Sequence, residues 1–155
     1  MRRTNLSGSA CPIARSLDEI GDWWTLLIVR DAFRGARRFG EFEKSLGLAK
    51  NILSSRLRQL TEHGILELRP AADGGVHREY HLTEKGRRLR LVLVALRQWG
   101  EDNLFEEGEE MTVMLEKATG LPIGRLKLTA QDGRVLEPDD VVVTRQRAGD
   151  LPRAP

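Results

Sequence analysis

Cysteine is almost absent from this chain of 155 residues, in which Cys11 is the one thiol. A single cysteine excludes a framework of disulfide bonds within the chain, and it fits a reducing compartment. No apolar run approaches the roughly 18 residues that a membrane-spanning helix needs. Residues 1–16 also lack the apolar centre of a signal peptide. These absences predict a cytoplasmic protein that does not enter a membrane.

The usual signatures of catalysis and metal binding are missing as well. The sequence contains no glycine-rich phosphate loop and no recognisable pair of nucleophile and base. His77 and His81 are four residues apart in a stretch that alternates like a strand. That spacing separates them by roughly 13 Å, so they cannot bind one metal ion together. We therefore expect no enzyme activity, no metal site and no cofactor.

The net charge of +2 conceals opposite charges in two parts of the chain. Residues 1–100 contain 18 Lys and Arg against 11 Asp and Glu, whereas residues 101–155 contain 7 against 12. The first part therefore carries +7 and the second −5. A basic body favours a polyanionic partner. We predict two domains, a body at residues 1–105 and a β-rich extension at residues 106–155 that ends in a frayed tail.

Hydrophobic periodicity predicts short helices followed by a hairpin. The stretch Trp23–Phe33 is apolar nearly all round, which is typical of a buried central helix. A short amphipathic helix from Phe39 precedes a tight turn and a further helix at about 49–63. The stretches Ile65–Arg69 and His77–Thr83 alternate like strands on either side of a glycine-rich turn. They predict a β-hairpin.

A long apolar helix is expected after the hairpin. Thr83 can cap its start, and residues 89–96 are too apolar for one face to be solvated. Such a helix either lies deep in its own domain or packs against a second copy of the chain, and near the end of a small domain we favour the second copy. The predicted fold is α+β and mostly helical, with a C-terminal dimerisation helix and then a small β-hairpin extension.

The stretch "AKNILSSRLRQL" at residues 49–60 has two different faces. Leu53, Leu57 and Leu60 recur at helical spacing and predict a buried side. The opposite side lacks carboxylates, and each of its polar side chains can donate a hydrogen bond. These side chains are Lys50, Asn51, Ser54, Ser55 and Arg58.

Such a helix suits the major groove of B-DNA, where base edges present hydrogen-bond acceptors. A short helix, a tight turn, a donor-rich helix and a hairpin form the winged helix-turn-helix arrangement. We predict that the five donors contact bases from a recognition helix at about 49–63, and that the hairpin at 66–82 is the wing.

Six more basic residues are candidates for contact with the DNA backbone. They are Arg37, Arg38, Arg56, Arg69, His77 and Arg78. The first two precede the short helix, and Arg56 lies at one side of the recognition helix. The other three flank the wing tip, which could reach the backbone or the minor groove. Each phosphate contact should steepen the salt dependence of binding.

Several motifs between Cys11 and Trp99 follow one another in a distinctive order. They are Cys-Pro, an Ile-Gly…Trp-Thr-Leu-Leu run, Arg-Phe, Leu-x-x-Leu-x-x-Leu and Glu-Tyr-x-Leu-Thr-x-x-Gly. This order closely resembles the HxlR-type winged helix-turn-helix transcriptional regulators, over about three-fifths of the chain. The resemblance implies a homodimer joined through N-terminal and C-terminal helices, which binds a pseudo-palindromic operator with one recognition helix per half-site. It also implies a bacterial or archaeal regulator that usually represses, and sometimes activates, a neighbouring gene.

The sequence departs from the family pattern at three places. Ala49 stands where a small hydroxyl residue often begins the recognition helix, and losing that cap costs about 1 kcal/mol unless it is replaced. Trp23 stands where the family often has Lys, and we expect its indole to fill core rather than line a pocket. The turns "KATG" and "AQDG" contain no cysteine, whereas cysteine pairs in some extended members suggest a zinc ribbon. We therefore expect no zinc site there.

Two other functions stay open. Some relatives sense oxidants or electrophiles through a cysteine at the position of Cys11, where a helix start favours the reactive thiolate. The alternative is a small apolar residue beneath the dimer helices. A small-molecule effector could instead bind near Trp23 and Trp24. The chain could also be a winged-helix module that binds protein, although its basic outer face argues against this.

Overall fold

The structure of the protein is a computed structural model, which describes residues 5–71 and 74–150. The chain divides into two compact units, Met1–Leu96 and Arg97–Pro155. Because this boundary falls inside a helix, it does not test the predicted domains at 1–105 and 106–155. Part of the predicted wing tip and of the frayed tail lies outside the described residues.

The regular structure of the described ranges consists of six α-helices, one antiparallel pair of strands and a short 3₁₀ helix. The elements are α1 (Pro12–Ile20), α2 (Trp23–Phe33), α3 (Phe39–Leu46), α4 (Lys50–Glu62), β1 (Leu66–Pro70), β2 (Arg78–Leu82), α5 (Glu84–Arg87), α6 (Arg90–Asn103) and the 3₁₀ helix Pro138–Asp140. Within the described part of the chain, no helix combines the length and the apolar content needed to cross a membrane.

Helices α2, α3 and α4 form the centre of the first unit. Ile28 and Val29 of α2, Phe42 of α3 and the leucines at 53, 57 and 60 on α4 are almost fully buried in one hydrophobic cluster. The predicted buried face of α4 is therefore confirmed. Gly47 follows α3 with a φ of 63°, a left-handed conformation that favours glycine, and it supplies the tight turn between α3 and α4. This is the helix-turn-helix geometry that the sequence predicts.

The wing is connected to the start of α3. Strands β1 and β2 pair antiparallel, with Leu68 opposite Tyr80. The Tyr80 ring packs edge-on against Phe42 at 6.3 Å, and its backbone N–H donates to the carbonyl of Arg37 at 2.8 Å. Burial raises the pKa of the Tyr80 phenol. The hairpin after α4 thus forms a winged helix-turn-helix fold with α2, α3 and α4.

Two expectations about helices are wrong. Trp23 does not fill core, because this first residue of α2 is 72% exposed. Its ring packs edge-on against the ring of Trp24, with 6.0 Å between the ring centroids. The helix expected to run on from Thr83 is interrupted at Arg88 and Leu89. There the N–H of Leu89 bonds to the carbonyl of Gly86 at 3.1 Å, a tighter turn that ends α5 before α6 begins. Thr83 does cap α5 as expected, since its hydroxyl accepts from the N–H of Gly86.

The second unit contains less strand than the sequence predicts. Its two hairpins turn at "KATG" and "AQDG", and each is closed by a single bridge, Leu115 to Pro122 and Thr129 to Val135. The stretch "DVVVTRQ" at residues 140–146 has the β-branched composition of a strand, but it pairs with no other strand in the described residues. Within those residues, no group of three or more His, Cys, Asp or Glu is placed to hold a metal ion.

Gly86 allows α5 to lie directly against the backbone of Ile65, in the connection between α4 and β1. A Cβ atom added there would lie 2.2 Å from the carbonyl oxygen of Ile65 and 3.0 Å from a methyl group of Leu82. We expect Gly86→Ala to lower the free energy of unfolding by about 1–3 kcal/mol, because backbone must move to relieve the overlap. Urea unfolding monitored by circular dichroism measures the change.

Gly40→Ala is the matched control for this prediction. Gly40 also lies in a helix, but a Cβ added there has no other atom within 4 Å. Replacing it should leave stability unchanged or raise it by up to about 1 kcal/mol, since alanine favours helix. Equal stability of the two variants would contradict the close approach at Gly86.

Glu41 stabilises the start of α3 in a way that depends on pH. Its carboxylate accepts from the backbone N–H groups of Arg37 at 2.6 Å and Arg38 at 2.9 Å, and these bonds lower its pKa below the ordinary 4.5. The stabilisation is therefore present above pH 4.5 and is lost as the pH falls through the lower pKa of the folded state.

We expect Glu41→Gln to lower the melting temperature at neutral pH, and we expect this difference from wild type to shrink as the pH falls below the lowered pKa and the carboxylate is protonated. Thermal unfolding across a pH series measures it. Glu43→Gln is the control on the same helix, because Glu43 faces Lys50 at 4.0 Å in an exposed pair that contributes little. A Glu41→Gln deficit that stays constant with pH would assign the effect to packing.

Candidate nucleic-acid interface

The outward side of α4 carries most of the predicted base-contacting residues. Lys50, Asn51, Ser54 and Arg58 are exposed, and Ser55 is half-buried. Arg58 and Lys50 keep 72% and 78% of their side chains exposed. Their nearest carboxylates are Glu62, 3.7 Å from Arg58, and Glu43. Exposed pairs at these distances are weak, so both cations can move to another acceptor.

Ala49 precedes α4 without a side-chain cap, as its methyl group requires. It adopts an extended conformation, with φ −60° and ψ 137°, and its carbonyl accepts from the N–H groups of Ile52 and Leu53. Among the described residues, no side chain binds the N–H groups of Lys50 and Asn51, which leaves these two available to an anion from outside the chain.

Arg56 points away from the outward side of α4. Its guanidinium forms an ion pair with Asp22 at 2.9 Å and donates to the Gln59 amide oxygen at 2.8 Å. Asp22 in turn caps α2 by accepting from the N–H groups of Trp24 and Thr25. Arg56 thus connects the recognition helix to the start of α2, and this placement favours a structural role over the phosphate contact that its sequence position predicts.

Arg37 and Arg38 are also engaged within the chain. Arg37 turns its guanidinium back to the end of α2, where it donates to the carbonyls of Ala32 at 2.6 Å and Ala36 at 2.8 Å. Arg38 reaches across to the wing and pairs with Glu79 at 3.3 Å, with 42% of its side chain exposed. Arg38 is therefore more accessible to a phosphate than Arg37 is.

The predicted basic residues of the wing lie near the tip of the hairpin. Arg69, His77 and Arg78 are exposed, with Arg69 paired to Glu67 on its own strand and Arg78 donating to the carbonyl of Leu68 at 3.3 Å. Residues 72 and 73 of the tip lie outside the described ranges. The structure therefore places these three side chains on one hairpin, next in sequence to α4.

Two apolar residues on this side were missed by the sequence reasoning. Ile52 lies on α4 between the predicted donors and is 40% exposed, and Val76 near the wing tip is fully exposed. Apolar side chains in these positions can contact a thymine methyl group or the wall of a groove. Ile52 lies outside the leucine spacing of α4, and Val76 lies outside the strand alternation. These two departures could have identified both residues as exposed.

The candidate sensing residues lie elsewhere in the first unit. Cys11 is exposed at the position before α1, and its thiol does not cap the helix. A polar cleft of about 550 Å³ lies beside α1 and α4. It is lined by Asn5, Ser7, Arg15, Asp18, Glu19, Thr25, Arg56, Gln59 and His63. Neither Trp23 nor Trp24 borders it, so it does not support the predicted pocket at the two tryptophans.

Comparison with known proteins matches both the sequence and the fold. Rv3095 of Mycobacterium tuberculosis, an uncharacterised HTH-type transcriptional regulator, is 46% identical over 92 residues, which span 59% of this chain and 58% of that protein. The solved structure of PA1607, a candidate transcription factor, is 53% identical and superposes with a TM-score of 0.88 over 92% of this chain and 100% of its own. The reduced form of the redox regulator HypR is 30% identical, with a TM-score of 0.54 over 60% of this chain and 93% of its own.

The family comparison agrees with these relatives. The chain spans less than two-thirds of the length of Rv3095. The model of the HxlR-like helix-turn-helix family matches residues 19–108, which is more than half of the chain. This range contains α2, α3, α4, the wing and α6. The chain therefore belongs to the HxlR-like helix-turn-helix family.

Proposed function

We propose that this protein is a transcriptional regulator that binds double-stranded DNA as a homodimer, with α4 of each copy in the major groove of one half of a pseudo-palindromic operator. The observation that carries the proposal is the outward side of α4. Four of its five donors are exposed, its opposite face is packed in the core, and no side chain caps its start. Such a helix can donate to base edges from its side and to a phosphate from its start.

The remaining contacts divide into base contacts and backbone contacts. Asn51, Ser55 and Arg58 lie at the centre of the outward side and are assigned to bases, flanked by Lys50 and Ser54. Arg38, Arg69, His77 and Arg78 are assigned to the phosphates or the minor groove, because they are accessible around the wing. Arg37 and Arg56 are assigned to the fold, because their guanidinium groups are occupied within the chain.

The homodimer is supported by apolar side chains that a single copy leaves in water. Ile13 on α1 and Leu91, Val92 and Leu96 on α6 are exposed, while Val94 of α6 is buried. Both helices thus have an inner side and a second apolar side, which a copy of the chain can cover. Repression is the expected sign of regulation, on the family resemblance alone.

Arg58→Ala should weaken operator binding by about tenfold or more, because one well-placed arginine contact to a base contributes roughly 1–3 kcal/mol. Ser55→Ala should weaken it to a smaller degree. The measurement is a fluorescence anisotropy titration with DNA from upstream of the protein's own gene and adjacent genes, repeated across salt concentrations.

Arg88→Ala is a matched control for Arg58→Ala. Each arginine is highly exposed, and each faces a glutamate four positions away at 3.7 Å, but Arg88 lies outside α4. The control should change affinity only slightly. Equal losses in the two variants would show a general charge effect, and unchanged affinity for Arg58→Ala would remove that side chain from base contact. A wild-type protein without salt-dependent DNA binding would overturn the proposal in favour of a protein-binding module.

A second candidate function is regulation of DNA binding by oxidation of Cys11. It is supported by the exposure of this thiol and by the likeness to the redox regulator HypR. Because the chain has one cysteine, the expected product is a disulfide to the partner's Cys11 or to a small thiol, formed while the added oxidant is reduced.

Treatment with the thiol oxidant diamide should therefore change operator affinity in wild type and leave Cys11→Ser unaffected. The same anisotropy titration, before and after addition of a reductant, measures the change and its reversal. Equal responses of wild type and Cys11→Ser would assign the effect to another residue, and no response in either would exclude this thiol as the sensor.

A further inference from the structure

The C-terminal segment, residues 104–150, leaves its apolar side chains in water. Across residues 97–150, Gln98 is the one buried residue, and thirteen large apolar side chains are at least 44% exposed. Ordering a residue costs about 1–2 kcal/mol of conformational entropy, which apolar burial normally offsets. A segment with this many apolar residues and so little burial needs a surface that the single chain does not supply.

Polar contacts nevertheless hold this segment in a definite arrangement. The buried Gln98 of α6 donates to the carbonyl of Gly124 at 3.0 Å and accepts from the N–H of Leu126 at 2.8 Å. Arg125 binds both Glu101 and Asp102 on the last turns of the same helix. The segment is therefore attached to α6 by its polar groups, while its apolar groups stay uncovered.

Residues 141–143 are the clearest case of an uncovered strand. Val141, Val142 and Val143 are 44%, 86% and 99% exposed. Val141 is extended, with φ −119° and ψ 129°, and within the described residues the three valines make no backbone hydrogen bond to another strand. β-Branched residues in an extended, unpaired stretch favour pairing with a strand from another chain.

We propose that the C-terminal segment packs against a second copy of this chain and contributes a large part of the homodimer interface. This inference rests on the homodimer of the proposed function and specifies what holds it together. The first argument is continuity along the chain: α6 exposes the apolar residues Leu91, Val92, Leu96 and Trp99, and the segment follows this helix directly in sequence.

Size and charge favour the same occupant. The segment exposes twelve large apolar side chains per copy, which can supply a substantial part of a stable interface that buries about 800 Å² on each partner. Residues 101–155 carry −5 and residues 1–100 carry +7, so a segment that crosses to a second copy meets a basic body. The segment is also shared with a relative, since a match over 92% of the chain to PA1607 must include most of residues 109–155.

The test uses full-length variants in which one exposed valine of the segment is replaced by aspartate. Val113→Asp and Val142→Asp should each raise the dimer dissociation constant at least about 30-fold, the scale of a central interface residue. Val76→Asp is the control, because Val76 is fully exposed on the wing and far from the segment in sequence. Sedimentation velocity over a concentration series measures the constant, and circular dichroism checks that each variant is folded.

A second measurement needs no variant. Dimers mixed from unlabelled and ¹⁵N-labelled protein are treated with an amine cross-linker, and mass spectrometry separates links within a copy from links between copies. Lys117 and Lys127 are exposed in the segment and should form links between copies. Links confined to one copy, for example to Lys50 on α4, would overturn the inference and point to an acidic segment that covers its own DNA-binding side.

The outcomes separate this inference from the proposed function. A wild-type dimer that is unaffected by both aspartates overturns the role of the segment and leaves the homodimer intact. A wild-type monomer at micromolar concentration overturns the homodimer and the inference together, while DNA titration still tests α4 independently. Weaker dimers in both variants, with an unchanged Val76→Asp control, support the inference.

Discussion

Burial of three leucines on one face of α4 fixes the direction of every other side chain on that helix. Leu53, Leu57 and Leu60 are packed among Ile28 and Phe42 with almost no exposed surface. A rotation of α4 about its axis would expose them, at a cost of roughly 1.5–3 kcal/mol for each side chain. The outward position of the donor residues is therefore a consequence of core packing, and it needs no ligand to be established.

Polar contacts then hold α3 and α4 in place relative to the wing and to α2. Arg56 joins α4 to Asp22 at the start of α2, and Glu41 holds the two N–H groups that precede α3. Arg38 reaches Glu79 on the second wing strand. Two of these connections use an arginine, Arg56 or Arg38, that composition alone would assign to a nucleic-acid surface. The basic charge of the body consequently overstates the number of cations available to DNA, and part of it stabilises the geometry of the interface.

This division explains which features the sequence could predict. The leucine spacing of α4, the glycine turn and the hairpin are local patterns, and they sufficed for the winged fold and for the outward donors. Arg56 binds Asp22, which is distant in sequence, and the side chain of Arg37 turns back to the end of α2. Hydrophobic periodicity predicts neither contact. Trp23 misled the prediction because an apolar residue at the first helical position can extend past the core. The break at Arg88 and Leu89 was missed because the tighter turn that ends α5 interrupts the helix without interrupting its apolar pattern.

The two units differ in how far their apolar residues are buried. In the first unit, apolar periodicity and burial agree at nearly every position of α4. In the second unit, the sequence predicts a β-rich extension, whereas residues 97–150 contain only two isolated β-bridges, and "DVVVTRQ" has the β-branched composition of a strand without a neighbour among the described residues. A strand is stable only when another strand satisfies its backbone and covers its face. The disagreement between pattern and pairing in residues 111–143 is therefore the observation that supports the proposed packing of this segment against a second copy.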